Sequence, residues 1–218
     1  MELFVRSWSD LRSAVAGLAP EDFARPSGCA GWLVRDLVCH LVIDAQDVLI
    51  TLVTPADAEP TADAATYWHV GEEPPTGDDP LDALTVRLAA AYEDPALLTF
   101  HLDDVGSAAG RAAELADPDA RVSTQDMVLT ARDYLGAYVL EWTLHHLDLT
   151  ARLPHVPGPA PESLAATRSL LERIVGAPLP SSLDDRAALL VTTGRRPPTP
   201  LESTALGPLA SRLPMALG

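Results

Sequence analysis

The sequence predicts a mostly α protein: an up-and-down four-helix bundle followed by a short C-terminal α/β extension. Four stretches with apolar residues at helical spacing predict the bundle, and clusters rich in Pro, Gly and Asp separate them. The chain has 218 residues, 47% hydrophobic and 21% charged, enough to bury one core with a smaller appendage. The bundle is expected over residues 1–153 and the extension over 154–218.

The first helix is marked by Leu3, Trp8, Leu11, Val15 and Leu18, and Pro20 ends it. A breaker-rich turn at 25–31 precedes a long second helix from Trp32 to about Val53, stopped by Pro55. Residues 54–80 read as a surface loop with a short helical turn. A third helix is expected from Pro80, with Asp79 as N-cap and Leu81, Leu84, Leu88 and Tyr92 on one face, until Pro95 interrupts it. Over residues 99–117, Thr99–Leu102 reads as extended and Asp103 to Ala116 as helical.

Thr130 and Asp133 form a capping-box pattern that opens the fourth helix. Its stripe of Leu135, Tyr138, Val139, Trp142 and Leu149 runs to about Leu153. After a stiff linker at 154–159, Ser163 to Val175 reads as a fifth helix. Ala188–Thr193 looks like a short β run closed by Gly194 and Arg195, and the Pro-rich tail is expected to be irregular.

With 31 acidic residues against 15 arginines and no lysine, the formal charge is −16. Clustered cations are needed to bind phosphate backbones or anionic lipid, so nucleic acid and membrane surfaces are excluded as partners. Two cysteines, Cys29 and Cys39, provide no disulfide framework, and no stretch reads as a leader or a membrane helix. A cytoplasmic location is expected. The Lys-free, Ala- and Arg-rich composition is that of a high-GC genome.

Glu141 and His145 lie four apart, on one face of the fourth helix about one turn from each other. His40 sits in an apolar run of the second helix, where an imidazole needs a partner. If these helices pack side by side, the three converge on one divalent metal and leave a position for water or substrate. The same residues also allow a self-paired Glu–His couple and a satisfied core histidine. Asp148 could orient His145, while Asp36 and Asp44 flank His40 and could accept its second N–H. His146 points away from Glu141, Cys29 and Cys39 read as buried thiols, and Trp32 reads as core.

The run from Pro26 to Leu41, with Cys29-x-Gly31-Trp32, then Val34-Arg35-Asp36-Leu37, then His40-Leu41, resembles the N-terminal signature of the mycothiol-dependent maleylpyruvate isomerase family of DinB-like proteins. Asp133-Tyr134-Leu135 through Glu141 to Leu149 is similar to that family's second signature, and Gly194-Arg195 with Leu213-Pro214 is a weaker third match. The resemblance implies a DinB-like bundle holding a divalent metal, expected to be zinc, through His40, Glu141 and His145. It also implies mycothiol as cosubstrate, used for isomerisation of, or thiol transfer to, a small electrophile. Arg195 is the residue expected to clamp a carboxylate of thiol or substrate. Leu33 replaces the hydroxyl residue common after the Trp, so the second helix is expected to lack its usual cap. The family's larger C-terminal domain is reduced here to residues 154–218, which keeps open a non-catalytic metal-binding or stress-associated interaction module. A monomer or a homodimer is expected.

Overall fold

The structure, a computed structural model, describes residues 1–71 and 80–217. Four long helices form the bundle: α1 (Glu2–Ala16), α2 (Val34–Leu52), α4 (Pro95–Leu115) and α5 (Ala131–Thr150). They close a ring in which α1 and α2 each pack against both α4 and α5. A shorter α3 (Pro80–Ala90) lies on the outside of α2.

The third helix of the ring is therefore α4, not the helix that starts at Pro80. Pro95 begins α4 rather than breaking a helix, because at the first position its missing N–H has no intrahelical partner to lose. Asp94 caps it by accepting from Ala96 N at 2.9 Å. Thr99–Leu102 is accordingly helical. The buried face of α4 carries Leu98, Leu102, Gly106, Ala109 and Ala113, and its small residues leave a weak apolar signal. They make room for Trp8, whose indole donates to Gly106 O at 2.7 Å. A Cβ at Gly106 would meet the Trp8 ring at 2.7 Å.

Leu81, Leu84 and Leu88, expected to face the core, are 72%, 43% and 43% exposed, and Thr85 and Ala89 are the buried residues of α3. The Asp79 cap lies outside the described residues. Between α4 and α5, β2 (Arg121–Thr124) and β3 (Met127–Thr130) form an antiparallel hairpin with Arg121 opposite Thr130. Its two-residue turn places Gln125 and Asp126 at φ 47° and 62°, the left-handed region such hairpins require.

Sixteen of the 20 residues of α5 are buried. One face packs Trp142 onto Trp8, with ring centroids 3.9 Å apart, and onto Phe4 at 4.3 Å. The other carries Leu140, Leu144 and Leu147 into a second core built with α6 (Pro161–Val175), α7 (Asp185–Thr192) and α8 (Pro200–Leu206). Ala188–Thr193, expected as β-like, belongs to α7 and the residue after it. Asp184 caps that helix by accepting from Ala187 N at 2.7 Å, and short apolar runs do not distinguish strand from helix by themselves. Nor is the tail all irregular: Thr199 and Glu202 form a reciprocal capping box that starts α8. The tail ends in β4 (Ala216–Leu217), which pairs antiparallel with β1 (Val70–Gly71). No described helix is long and apolar enough to cross a membrane.

Candidate metal centre

Two helix starts set the register of the site. On α2, Leu33 provides no side-chain cap, and the Asp36 carboxylate instead reaches back to accept the Leu33 N–H at 2.8 Å. Asp36 is thus occupied at the helix start and does not orient His40. On α5, Thr130 Oγ1 accepts from Asp133 N at 3.1 Å and donates to Asp133 Oδ2 at 2.7 Å.

Packing of α2 beside α5 brings His40, Glu141 and His145 together. The two Nε2 atoms of His40 and His145 are 3.1 Å apart. Glu141 Oε1 lies 2.9 Å from His145 Nε2 and 3.7 Å from His40 Nε2. Asp44, one turn beyond His40, places Oδ2 3.3 Å from the same His40 Nε2. It therefore stands on the ligand side of that imidazole and not behind it, where an orienting carboxylate would sit. One ligand atom from each of the four lies within 4.8 Å of all the others.

These residues fit a cation. Donors held at ~2.0–2.1 Å around tetrahedral zinc are about 3.3 Å from one another, close to the spacings observed. Asp44 Oδ2 is buried without a hydrogen-bond partner, an orphaned acceptor of the kind a cation satisfies. Two imidazoles with two carboxylates suit zinc and several other divalent ions.

Behind His145 lies a second layer. Its Nδ1 is 3.3 Å from Asp148 Oδ2, the carboxylate–histidine arrangement that fixes ring orientation and tautomer around metals. Arg195 grips that carboxylate with both ends, Nε to Oδ1 at 2.9 Å and Nη2 to Oδ2 at 2.8 Å. Gly194, with φ +75°, turns the chain to deliver Arg195, and a Cβ there would meet Pro214 at 2.7 Å. Cys29 Sγ rests 3.4 Å from Asp148 Oδ2 and 3.8 Å from His145 Nδ1. It is only partly buried, unlike Cys39.

Gly28 completes this layer by donating its N–H to Asp148 O at 2.8 Å. A Cβ at Gly28 would stand 2.5 Å from Asp148 Oδ1 and 2.7 Å from its Cα. Gly28→Ala is therefore expected to destabilise the chain by about 1–3 kcal/mol through forced displacement of α5. Urea denaturation of the two proteins measures this, and an unchanged midpoint contradicts the close approach.

The electrostatics follow from burial and pairing. Burial alone would raise the Glu141 carboxyl, but His145 and His40 beside it hold it well below the carboxylate range. Burial opposes charge on His145, yet Glu141 and Asp148 raise its pKa well above the ordinary imidazole value. Against burial, Arg195 holds Asp148 down at about 2. Burial, with Glu141 adding to it and His40 opposing, pushes Asp44 up to about 6. Burial also raises the Cys29 thiol and lifts Cys39 to about 11.

A cavity of about 470 Å³ opens onto His40, Asp44 and Glu141. Its walls include Trp32, whose ring centroid is 5.2 Å from that of His40, together with Tyr67, Trp68, Gln125 and Tyr138. Arg195 is not among its lining residues. His146 turns away, its Nε2 2.9 Å from Pro157 O. The sequence left Tyr67, Trp68 and Gln125 unremarked, because two belong to the long loop and the third to the hairpin turn, where no periodicity singles them out.

Over residues 4–150 the chain matches the sequence model of the mycothiol maleylpyruvate isomerase N-terminal domain. It belongs to that family. Within the family its mostly helical, DinB-like fold resembles a solved member. The crystal structure of a histidine-to-alanine mutant of the mycothiol-dependent maleylpyruvate isomerase superposes with a TM-score of 0.52 at 16% identity, covering 83% of this chain and 68% of that one. At that identity the likeness is one of fold. No curated protein matches the chain.

Proposed function

We propose that this member of the mycothiol maleylpyruvate isomerase family is a divalent-metal enzyme, with zinc as the ion. In this reading it uses mycothiol for thiol transfer to, or isomerisation of, a small electrophile. His40, Glu141 and His145 would hold the ion. One observation carries the reading: the cavity reaches His40, Glu141 and Asp44, so the cluster faces space that a reactant can enter and is not sealed by side chains. A sealed cluster would instead suit the non-catalytic module.

When bound, such a cation supplies Lewis acidity that favours the thiolate over the thiol. The chain's own residues do the rest. Asp148 holds the His145 ring through Nδ1 so that Nε2 faces the cluster. Arg195, engaged on both Asp148 oxygens, acts as a positioning residue through that carboxylate rather than as a clamp on substrate. Asp44, which lines the cavity and whose Oδ2 has no hydrogen bond, would accept the proton of an entering thiol and pass it on to solvent. A cytoplasmic setting keeps Cys29 and Cys39 reduced.

The test is elemental analysis of protein purified without a polyhistidine tag, followed by thiol-transfer assays with mycothiol. One ion per chain and metal-dependent transfer are expected. Absence of metal, or transfer unaffected by chelation, defeats the proposal. Zinc binding should also displace a proton. Because the pKa of His145 is raised, the apoprotein keeps that ring protonated at neutral pH, whereas Glu141 and Asp148, both lowered, release nothing. Affinity should therefore rise as pH increases through the neutral range, by at most about 10-fold per pH unit for the one proton displaced. Competitive zinc titration across that range reads the slope.

A further inference from the structure

The charge of the reaction cavity indicates what it admits. Helix α2 turns His40, Asp44 and Asp47 toward it, at positions i, i+4 and i+7 of one face. Across from them stand Glu141 and the rings of Tyr67 and Trp68. Among the described lining residues there is no arginine, and the chain has no lysine. Arg195, the cation expected to meet a substrate carboxylate, is committed to Asp148 and lines no part of this space. With a dication at the cluster, the four lining carboxylates of Asp44, Asp47, Asp82 and Glu141 still outnumber its charge. The whole chain carries −16, so the surrounding field opposes anions as well.

A dicarboxylate entering here would lose hydration and meet no guanidinium in return: beside the cluster its neutral polar partners are Gln125 and Thr85, set among carboxylates and aromatic faces. An uncharged ring would bury apolar surface against Trp32, Tyr67 and Trp68, and a cation over those faces would be attracted by their π-systems. We propose that the cavity selects an uncharged or cationic, apolar or aromatic electrophile and turns dicarboxylic acids away, with Asp47 as the residue that sets this preference. The proposal rests on the reading of this cavity as the reaction site. It differs from what the isomerase's name would suggest, since maleylpyruvate is itself a dicarboxylate.

The matched probes are benzyl chloride, its 4-carboxylate and its 4-trimethylammonium derivative, reacted with mycothiol on the zinc-loaded full chain. In each, the thiol sulfur forms a bond to the benzylic carbon as the carbon–chlorine bond breaks. Chloride leaves and the thiol proton passes to solvent. A second readout is independent of turnover: tryptophan fluorescence of the chain, with and without zinc, titrated with the three corresponding unreactive benzyl alcohols.

The neutral and cationic compounds should be preferred over the carboxylate by about 10-fold or more in both readouts. Asp47 is exposed on α2, so Asp47→Asn and Asp47→Arg should fold normally. They should narrow the preference and then reverse it, read within each variant as the ratio of carboxylate to neutral binding. Equal or tighter binding of the carboxylate by the unaltered chain overturns the proposal, as does binding of none of the three alcohols. Transfer to the carboxylate in preference to the others overturns it while leaving the thiol-transfer reading intact. Ranked fluorescence binding without any transfer has the opposite meaning: the charge preference stands and the enzymatic reading fails.

Discussion

Glu141→Gln is expected to leave the chain folded but to abolish tight binding of the proposed metal ion. Among the described residues the carboxylate is the one anionic donor within 4 Å of both imidazoles, 2.9 Å from His145 Nε2 and 3.7 Å from His40 Nε2. Glutamine has the same size and keeps one carbonyl oxygen but carries no charge. Structural zinc sites bind with ~10–16 kcal/mol, so losing one of three or four donors removes roughly 3 kcal/mol and at least ~100-fold in affinity. Removing the carboxylate also removes the main support for charge on His145, whose pKa should fall. Metal content after dialysis and the histidine ring signals in NMR report the two effects separately. Full metal retention by Glu141→Gln would mean that the cluster is only an ion-paired network.

Asp148→Ala has a different and larger consequence, because it breaks a buried pair from one side. Asp148 is 2% exposed and receives two hydrogen bonds from Arg195. The alanine variant leaves the guanidinium buried without its counterion, which costs about 3–5 kcal/mol, or roughly 6–20 °C in Tm for a chain of this size. His145 loses the partner of its Nδ1 as well, and loss of such a partner lowers metal affinity by roughly 10–100-fold. The double variant Asp148→Ala/Arg195→Ala removes both charges and should recover much of the stability without recovering the metal affinity. Differential scanning calorimetry of the apoproteins, paired with zinc titration, separates the two roles. Additive losses in the double variant would show that the pair is not energetically coupled.

The acid side of the stability profile follows from the same pair. Asp148 is lowered in the folded chain, so its contribution is present above the unfolded carboxylate value of about 3.9. It is lost as pH falls through about 2.

Sequence patterns revealed much of this molecule, and the parts they missed have physical causes. The capping chemistry of α5 and the four-residue spacing of Glu141 and His145 are local, and local patterns survive folding. Helix α4 was obscured because its buried face is built from Gly106, Ala109 and Ala113, whose small side chains matter for what they admit, Trp8, more than for their own hydrophobicity. Ala188–Thr193 misled because six residues are too few to show a 3.6-residue period, and the deciding information lay upstream in Asp184. Arg195 was expected to clamp a carboxylate of thiol or substrate, whereas the structure places it on Asp148, 47 positions earlier, and outside the cavity lining. Charge complementarity over that distance is set by packing alone. Asp44 needed coordinates for a similar reason, since the side of an imidazole that a carboxylate faces is not a property of spacing.

Helix α5 is a party wall. The bundle leans on one of its sides and the C-terminal helices on the other, while Glu141 and His145 sit within it and Asp148 ties it to the loop that bears Arg195. Loosening of the C-terminal layer should therefore be felt at Glu141 and His145, so the geometry of the cluster depends on helices that line no part of the cavity.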